Sequence, residues 1–358
     1  MKCEVEREEL LRACLAASKA VPSRSVRAIL SCLHLQAGDE GLTVTGTDLE
    51  TTIESSAACA IHEDGAAAIP TRQLLEMLRR CGSGPIHLTT TGATLGVAWG
   101  KAKFSLQGQD ATEYPKVEWP KQWVPAAGVR DAMEKVCFAA ASGTEARALL
   151  TGVNLTEAGA LATDGFQVAH LETELKIESV TLPAENIQTV LGVMPEGELD
   201  IVQEKAGVFF RVGDIRVRLR AIEGKFFDVL SLVPKEWKTS VAVDRRALLG
   251  ALLRVSTLVE QEPPHVLTIQ VKNDSLELTA RSELGEGAES VDAKVTGPRI
   301  RLSVNCKQMA EGLRALGGET VTVSANKGNE LTAWNDGSNL HFYQMPLQMP
   351  NTETKASA

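Results

Sequence analysis

The chain has 358 residues, 44% apolar and 23% charged, a composition that excludes an intrinsically disordered protein and suggests two or three domains. Its 37 Lys and Arg against 46 Asp and Glu leave a net charge of −9, which excludes a wholesale basic nucleic-acid binder but not a localised basic surface. Aromatic residues are 4% of the chain, too few for a serial stacking platform for single strands.

The N-terminal stretch MKCEVEREELLRAC is charged from the start and has no apolar signal core, and no run approaches 18 apolar residues. A cytoplasmic chain without a membrane span is expected. Apolar residues at three- and four-residue steps predict helices over Glu8–Lys19, Gly128–Ala139 and Asp244–Val255, each with Arg or Lys on the other face. The helix starts lie roughly 115–120 residues apart, a repeat on the scale of a small domain.

A second feature recurs at the same interval. Residues 69–80, 182–192 and 304–314 each read as a strand end followed by a helix, then a Gly-containing turn and a strand. Pro70 and Pro183 stand at the helix entries, where a missing N–H costs little. Residues 41–46, 207–212, 215–220 and 276–280 alternate apolar and polar, which predicts antiparallel sheet with one covered face. The fold class is α+β: three repeated domains, each with two helices and about eight short strands. The predicted boundaries are 1–121, 122–238 and 239–349, with a flexible tail at 350–358.

The three domains carry 13 basic and 15 acidic, 12 and 17, and 12 and 14 residues, so any cationic surface must come from sorting charges between faces. Seven scattered cysteines without a CxxC pair argue against a disulfide framework or a zinc site. The six histidines have no metal-ligand spacing. The Gly96–Ala102 stretch is one residue short of a phosphate loop and lacks its Ser or Thr. Thr47-Asp48 and Thr163-Asp164 admit a hydrolase or transferase reading. The simpler reading is a polar turn in which Asp accepts backbone N–H bonds and Gly165 takes a left-handed conformation.

Several short motifs, in this order and spacing, resemble one family across about 345 residues: Thr-Asp-Leu-Glu at 47–50, Glu113-Tyr-Pro115, Ala-Thr-Asp-Gly at 162–165, Gly224-Lys-Phe-Phe-Asp228 and Met345-Pro-Leu. The family is the bacterial DNA polymerase III beta subunit. The resemblance implies a DNA clamp fold, a six-domain ring formed by a homodimer, and a processivity factor that encircles duplex DNA without sequence specificity. It implies no catalytic residue, cofactor or metal. The implied partners are double-stranded DNA, a second copy of the chain, the clamp loader, the replicative DNA polymerase and other proteins carrying clamp-binding motifs.

Arg24 matches by position a DNA-contacting residue in the family's loop. Arg27, Arg72, Arg79, Arg80, Arg130, Arg147, Arg245 and Arg246 are the further candidates for phosphate contact. The family's partner cleft implies walls of Leu150, Thr163, Gly165, Gln167, Val168, Phe227, Leu232, Tyr343, Met345, Pro346, Leu347 and Met349. The implied dimer contact joins Phe104 and Leu106 to Leu258. Gln167 and Ser231 stand where the family often has Arg, and Phe227 where it often has Pro, which leaves a specialised clamp with an altered cleft as the alternative.

Overall fold

A computed structural model of the chain describes residues 1–39, 41–143, 145–260, 262–283 and 285–348. The chain opens with β1 (Lys2–Glu6), α1 (Arg7–Ser18), β2 (Cys32–Gly38), β3 (Gly41–Thr47), β4 (Thr51–Ala57), β5 (Cys59–Glu63), β6 (Gly65–Pro70), α2 (Thr71–Arg80), β7 (Pro85–Thr91), β8 (Thr94–Trp99) and β9 (Ala102–Gln107). The same order returns as β10 (Val124–Pro125), α3 (Val129–Val136), β11 (Gly152–Thr156), β12 (Gly159–Thr163), β13 (Gln167–Glu172), β14 (Val180–Pro183), α4 (Ala184–Leu191), β15 (Asp200–Glu204), β16 (Gly207–Val212) and β17 (Ile215–Arg220). The third passage is β18 (Thr239–Asp244), α5 (Arg245–Val255), β19 (Val266–Val271), β20 (Ser275–Ser282), β21 (Gly285–Thr296), β22 (Arg301–Asn305), α6 (Cys306–Ala315), β23 (Thr320–Ala325), β24 (Thr332–Asn335) and β25 (Leu340–Gln344).

Each passage thus has two helices, as the periodicity predicts. The third uses one long strand, β21, where the first uses β4 and β5. The strands form three antiparallel sheets, in the orders β5-β1-β7-β8-β9, β10-β15-β16-β17-β4-β3-β2-β6 and β14-β11-β12-β13-β25-β24-β23-β18-β21-β20-β19-β22. Two compact units result: residues 1–130 with 185–221, and residues 131–184 with 222–348. The first two sheets belong to the first unit and the third sheet to the second. Within each unit a strand of one repeat pairs with a strand of the next, β4 with β17 and β13 with β25.

The helices form for ordinary reasons. In α1, Leu10, Ala13, Cys14 and Ala17 recur at helical spacing and are fully buried against β3 and β4. That helix approaches the sheet closely: a Cβ on Gly46 would lie 2.1 Å from the Ala17 carbonyl oxygen, so only glycine fits there. Asp244 caps α5 by accepting the Ala247 N–H at 2.6 Å, and Asn305 caps α6 by accepting those of Lys307 and Gln308.

The expected alternation holds in β17 and β20 but fails in β16 and in β3, which together with its neighbour β4 is buried on both faces. One face packs on α1. The other lies under the segment after β9, where the Tyr114 hydroxyl donates to the Thr45 carbonyl at 3.1 Å and the Trp119 indole N–H donates to Glu54. The polar residues on that face, Thr45, Thr47, Thr52 and Glu54, are therefore buried with hydrogen-bond partners. All seven cysteines are unbridged, and five are fully buried.

Candidate partner cleft and nucleic-acid interface

The two Thr-Asp motifs form the same turn, and their carboxylates bind backbone. Thr47 Oγ1 donates to the Thr51 carbonyl at 2.9 Å, and Asp48 Oδ1 accepts the N–H groups of Glu50 and Thr51 at 2.9 and 2.6 Å. Thr163 Oγ1 donates to the Gln167 carbonyl at 2.6 Å, and Asp164 Oδ1 accepts the N–H groups of Phe166 and Gln167 at 2.8 Å each. The third residue is left-handed in both, with φ +80° at Leu49 and +94° at Gly165. These aspartates hold turns together, and the hydrolase reading loses its motivation.

Each turn leads into the seam between two repeats. At the first seam Glu54 is 8% exposed. Its Oε1 accepts from Arg216 Nε at 2.8 Å, its Oε2 accepts from Thr45 and Trp119, and the Arg216 guanidinium lies over the Trp119 ring. Arg220 donates its backbone N–H to the Glu50 carbonyl and its guanidinium to the Glu50 carboxylate. At the second seam His170 and His341 occupy the Glu54 and Arg216 places, their rings stacked at 6.1 Å, and burial holds His170 below the usual histidine range. Met345 donates its backbone N–H to the Phe166 carbonyl at 2.7 Å, as Arg220 does to Glu50.

The cleft candidates divide by strand face. Gly152 leads β11 beside β12, Thr163 pairs with Val168, and Val168 pairs with Tyr343, so Thr163, Val168 and Tyr343 form one row across three strands. The one-turn 3-10 helix Ala148–Thr151, carrying Leu150, packs on β11 and β12. Gly165 and Met345 are exposed, Phe227 and Leu347 half-buried, Leu232 74% exposed and Pro346 buried. Gln167 does not share the row's face. Strand alternation turns it to the opposite side, beside Gln344, where it is 3% exposed, so it is not a wall residue. Gln344 there donates to the Asn305 carbonyl at 3.0 Å. Met349 and the tail 350–358 lie outside the described residues.

The arginine candidates also divide. Arg24, Arg27, Arg79, Arg80, Arg147 and Arg246 are exposed, and Arg72 is exposed beside Glu76 at 3.1 Å. Arg27 and Arg147 hold one repeated place. Each precedes a single 3-10 turn, Ala28–Ser31 or Ala148–Thr151, and accepts at its carbonyl the N–H of Leu30 or Leu150.

Arg130 and Arg245 are committed to the fold instead. Arg130 donates to the Met194 and Pro195 carbonyls at 3.1 and 2.5 Å, and Arg245 donates to the Leu313 and Gly318 carbonyls at 3.0 and 2.6 Å. Arg7 donates to the Leu78 carbonyl at 3.0 Å in the same way. In every repeat, then, an arginine in the first turn of the first helix satisfies carbonyls at the end of the second, where the helix dipole favours a cation. Aligning the repeats at Arg7, Arg130 and Arg245 is the sequence signal for this clamp. The proposed dimer residues Phe104 and Leu106 lie on β9, which ends its sheet, with Phe104 44% exposed. Leu258 covers β21: a Cβ on Gly287 would lie 2.6 Å, and one on Gly285 3.7 Å, from its methyl groups. Among the described residues no group of three His, Cys, Asp or Glu is placed to hold a metal, and no helix is long and apolar enough to cross a membrane.

This three-repeat architecture is that of the sliding clamps. The DNA polymerase sliding clamp of Bacillus subtilis superposes with a TM-score of 0.92 at 23% identity, covering 98% of this chain and 100% of that one. The Pseudomonas aeruginosa sliding clamp bound to griselimycin gives 0.88 at 22%, covering 98% and 100%. In sequence, residues 1–118 match the DNA polymerase III beta subunit N-terminal domain and residues 230–350 its C-terminal domain. The beta sliding clamp of Synechococcus elongatus is 27% identical over 91% of this chain and 93% of its own length, and that of Bacillus subtilis is 26% identical over 90% and 93%. The chain belongs to the DNA polymerase III beta subunit family, whose members are the bacterial sliding clamps, processivity factors of DNA replication.

Proposed function

We propose that two copies of this chain close head to tail into a ring of six repeats around duplex DNA, with domains at 1–121, 122–238 and 239–349. The ring tethers the replicative polymerase by topology and performs no chemistry of its own; the ATP spent on loading belongs to the loader. The protein works in the cytoplasm. Arg24, Arg27, Arg72, Arg79, Arg80, Arg147 and Arg246 guide the phosphates through contacts that are independent of sequence and sensitive to salt. The row Thr163, Val168 and Tyr343, with Leu150, Phe227, Leu232, Met345, Pro346 and Leu347, receives apolar peptide segments of the polymerase, the clamp loader and other partners.

One observation carries the ring: a seam rule used twice within the chain. The residue closing each Thr-Asp turn, Thr51 or Gln167, pairs with Leu219 or Gln344. The β20–β21 hairpin pairs Arg281 with Glu286 as β3–β4 pairs Thr47 with Thr52, which gives Gly285 the Thr51 place. The β8–β9 hairpin pairs Leu95 with Leu106 as β16–β17 pairs Val208 with Leu219, which gives Leu106 the Leu219 place. Carried onto a second copy, the rule sets Leu106 opposite Gly285 of the partner subunit and Phe104 opposite Gly287 of the partner subunit. The large side chains of one edge then pack beside Leu258, which lies over the glycines of the other, and the pairing closes two unpaired edges.

Light scattering at low micromolar concentration should give twice the chain mass, and Phe104→Arg should give a monomer. Loaded protein should stay on a closed DNA circle and leave when the circle is cut. Retention on the cut DNA would rule out the topological mechanism.

A further inference from the structure

The two seams differ in the layer of helices as well as in the sheet. Leu15 and Phe138 hold one repeated place, each eight residues after its helix-capping arginine, Arg7 or Arg130. Val217 and Phe342 hold another, since Val217 pairs with Ile53 as Phe342 pairs with Ala169. At the second seam the two phenylalanine rings meet at 5.9 Å. At the first seam both rings give way to shorter aliphatic side chains, and α1 borders an open cavity of about 410 Å³. The smaller side chains leave accessible space there that the surrounding structure has not collapsed to fill.

The cavity has an apolar wall and a charged rim. Leu15 and Ala16 of α1, Val193 after α4 and Ile215 at the start of β17 supply the wall. Arg12, Lys19 and Asp214 supply the rim. Asp214 is already neutralised: its Oδ2 accepts from Arg12 at 2.5 Å and from the Ser55 hydroxyl at 3.0 Å. Arg12 is spent on that contact and on Glu9 and the Ser56 carbonyl, each at 2.9 Å. Lys19, at the C-terminal end of α1, makes no side-chain hydrogen bond or ion pair among the described residues. The free charge on the rim is therefore positive, and it stands beside apolar surface.

We propose that this cavity is a binding site for a small amphipathic anion, a flat aromatic carboxylate whose ring lies against Leu15, Val193 and Ile215 and whose acid group meets Lys19. The volume is in the range that holds a small ligand, and an apolar wall with one well-placed charge is the usual make-up of such a site. The ligand ring supplies at the first seam the aromatic packing that Phe138 and Phe342 supply at the second. A lysine ammonium at the edge of apolar surface favours an ionised acid over a neutral polar group of the same shape. The site shares no residue with the peptide row or with the arginines assigned to phosphate, so it stands or falls apart from both readings.

The test is isothermal titration of the full-length chain with naphthoate and with its neutral amide. Naphthoate should bind with a dissociation constant below about 1 mM, as a ligand of this size allows. The amide should bind about fivefold more weakly. Lys19→Met should remove that preference, weakening naphthoate about fivefold and leaving the amide unchanged. Ala16→Phe, which sets a ring into the cavity, should abolish binding of both. Naphthoate that fails to bind below that limit, or that binds a folded Ala16→Phe chain as well as the unaltered one, overturns the site. Should Ala16→Phe fail to fold, Lys19→Met decides: naphthoate binding that this change leaves intact overturns the proposal.

Discussion

The seam between β4 and β17 and the seam between β13 and β25 share register, turn and hydrogen-bond pattern, and differ in chemistry. The first is closed by ions: Glu54 with Arg216 in the interior, Glu50 with Arg220 at the surface, and Arg12 with Asp214 at 2.5 Å beside them. The second is closed without an arginine–carboxylate pair: a buried Gln167–Gln344 pair, two facing histidines, and the exposed Phe166 and Met345. Backbone pairing suffices to join repeats, so the side chains are released for other work. At the first seam they lock; at the second they leave the apolar side chains of Phe166 and Met345 exposed.

The most damaging way to break the comparison is at the buried ion pair. Arg216→Ala should cost about 3–5 kcal/mol, because Glu54 would keep its charge in the interior without a counter-ion. Urea unfolding of the full chain reads this, and the double change Glu54→Gln with Arg216→Met should recover most of the loss. A cost below about 1 kcal/mol for Arg216→Ala would show that hydrogen bonds to Thr45 and Trp119 already satisfy the carboxylate.

Acid should come next. His34 stacks on Tyr114 at 4.9 Å under the segment that covers the first seam, and burial, aided by repulsion from Lys116, pulls its pKa down to about 4. The unfolded chain therefore binds this proton first. The contribution is intact above about pH 6.5 and is lost as pH falls towards 4, by up to about 3 kcal/mol. His170 adds a loss of the same sign in the second unit. Thermal melts between pH 7 and pH 4.5 should show a shallower decline for His34→Phe. An unchanged slope would place the acid sensitivity elsewhere.

The smallest effects sharpen the comparison at the turns. Leu49 holds a left-handed conformation that costs a leucine about 1–2 kcal/mol, and Gly165 holds the same conformation without that cost. Leu49→Gly should raise stability by about 0.5–1 kcal/mol, and Gly165→Leu should lower it by about 1 kcal/mol. A Cβ on Gly165 would meet no atom within 4 Å, so the loss there is conformational alone. Opposite signs in paired melts would confirm that the two turns are one device with different residues; equal signs would not.

Much of this was legible in the chain itself. Helical spacing marked all six helices, and the recurrence of strand, helix and glycine turn marked the repeats. The aspartates of the Thr-Asp motifs took the turn role that their short, polar side chains suit. Other features were hidden for identifiable reasons. Gln167 is next to Val168 in sequence but on the other face of β13, a consequence of register. Arg130 and Arg245 resembled the other helix arginines until the helix ends they cap came into contact with them.

The sequence by itself determined what is local and periodic: the helices, the alternating strands, the polar turns and the three-fold recurrence, all set by backbone preferences and by apolar residues seeking one face. Tertiary structure decided what depends on neighbours: which strands meet at the seams, why β3 and β4 are buried on both faces, and which arginines are spent on helix ends. Alternation tells a strand that it has two faces, but only packing supplies what covers each of them.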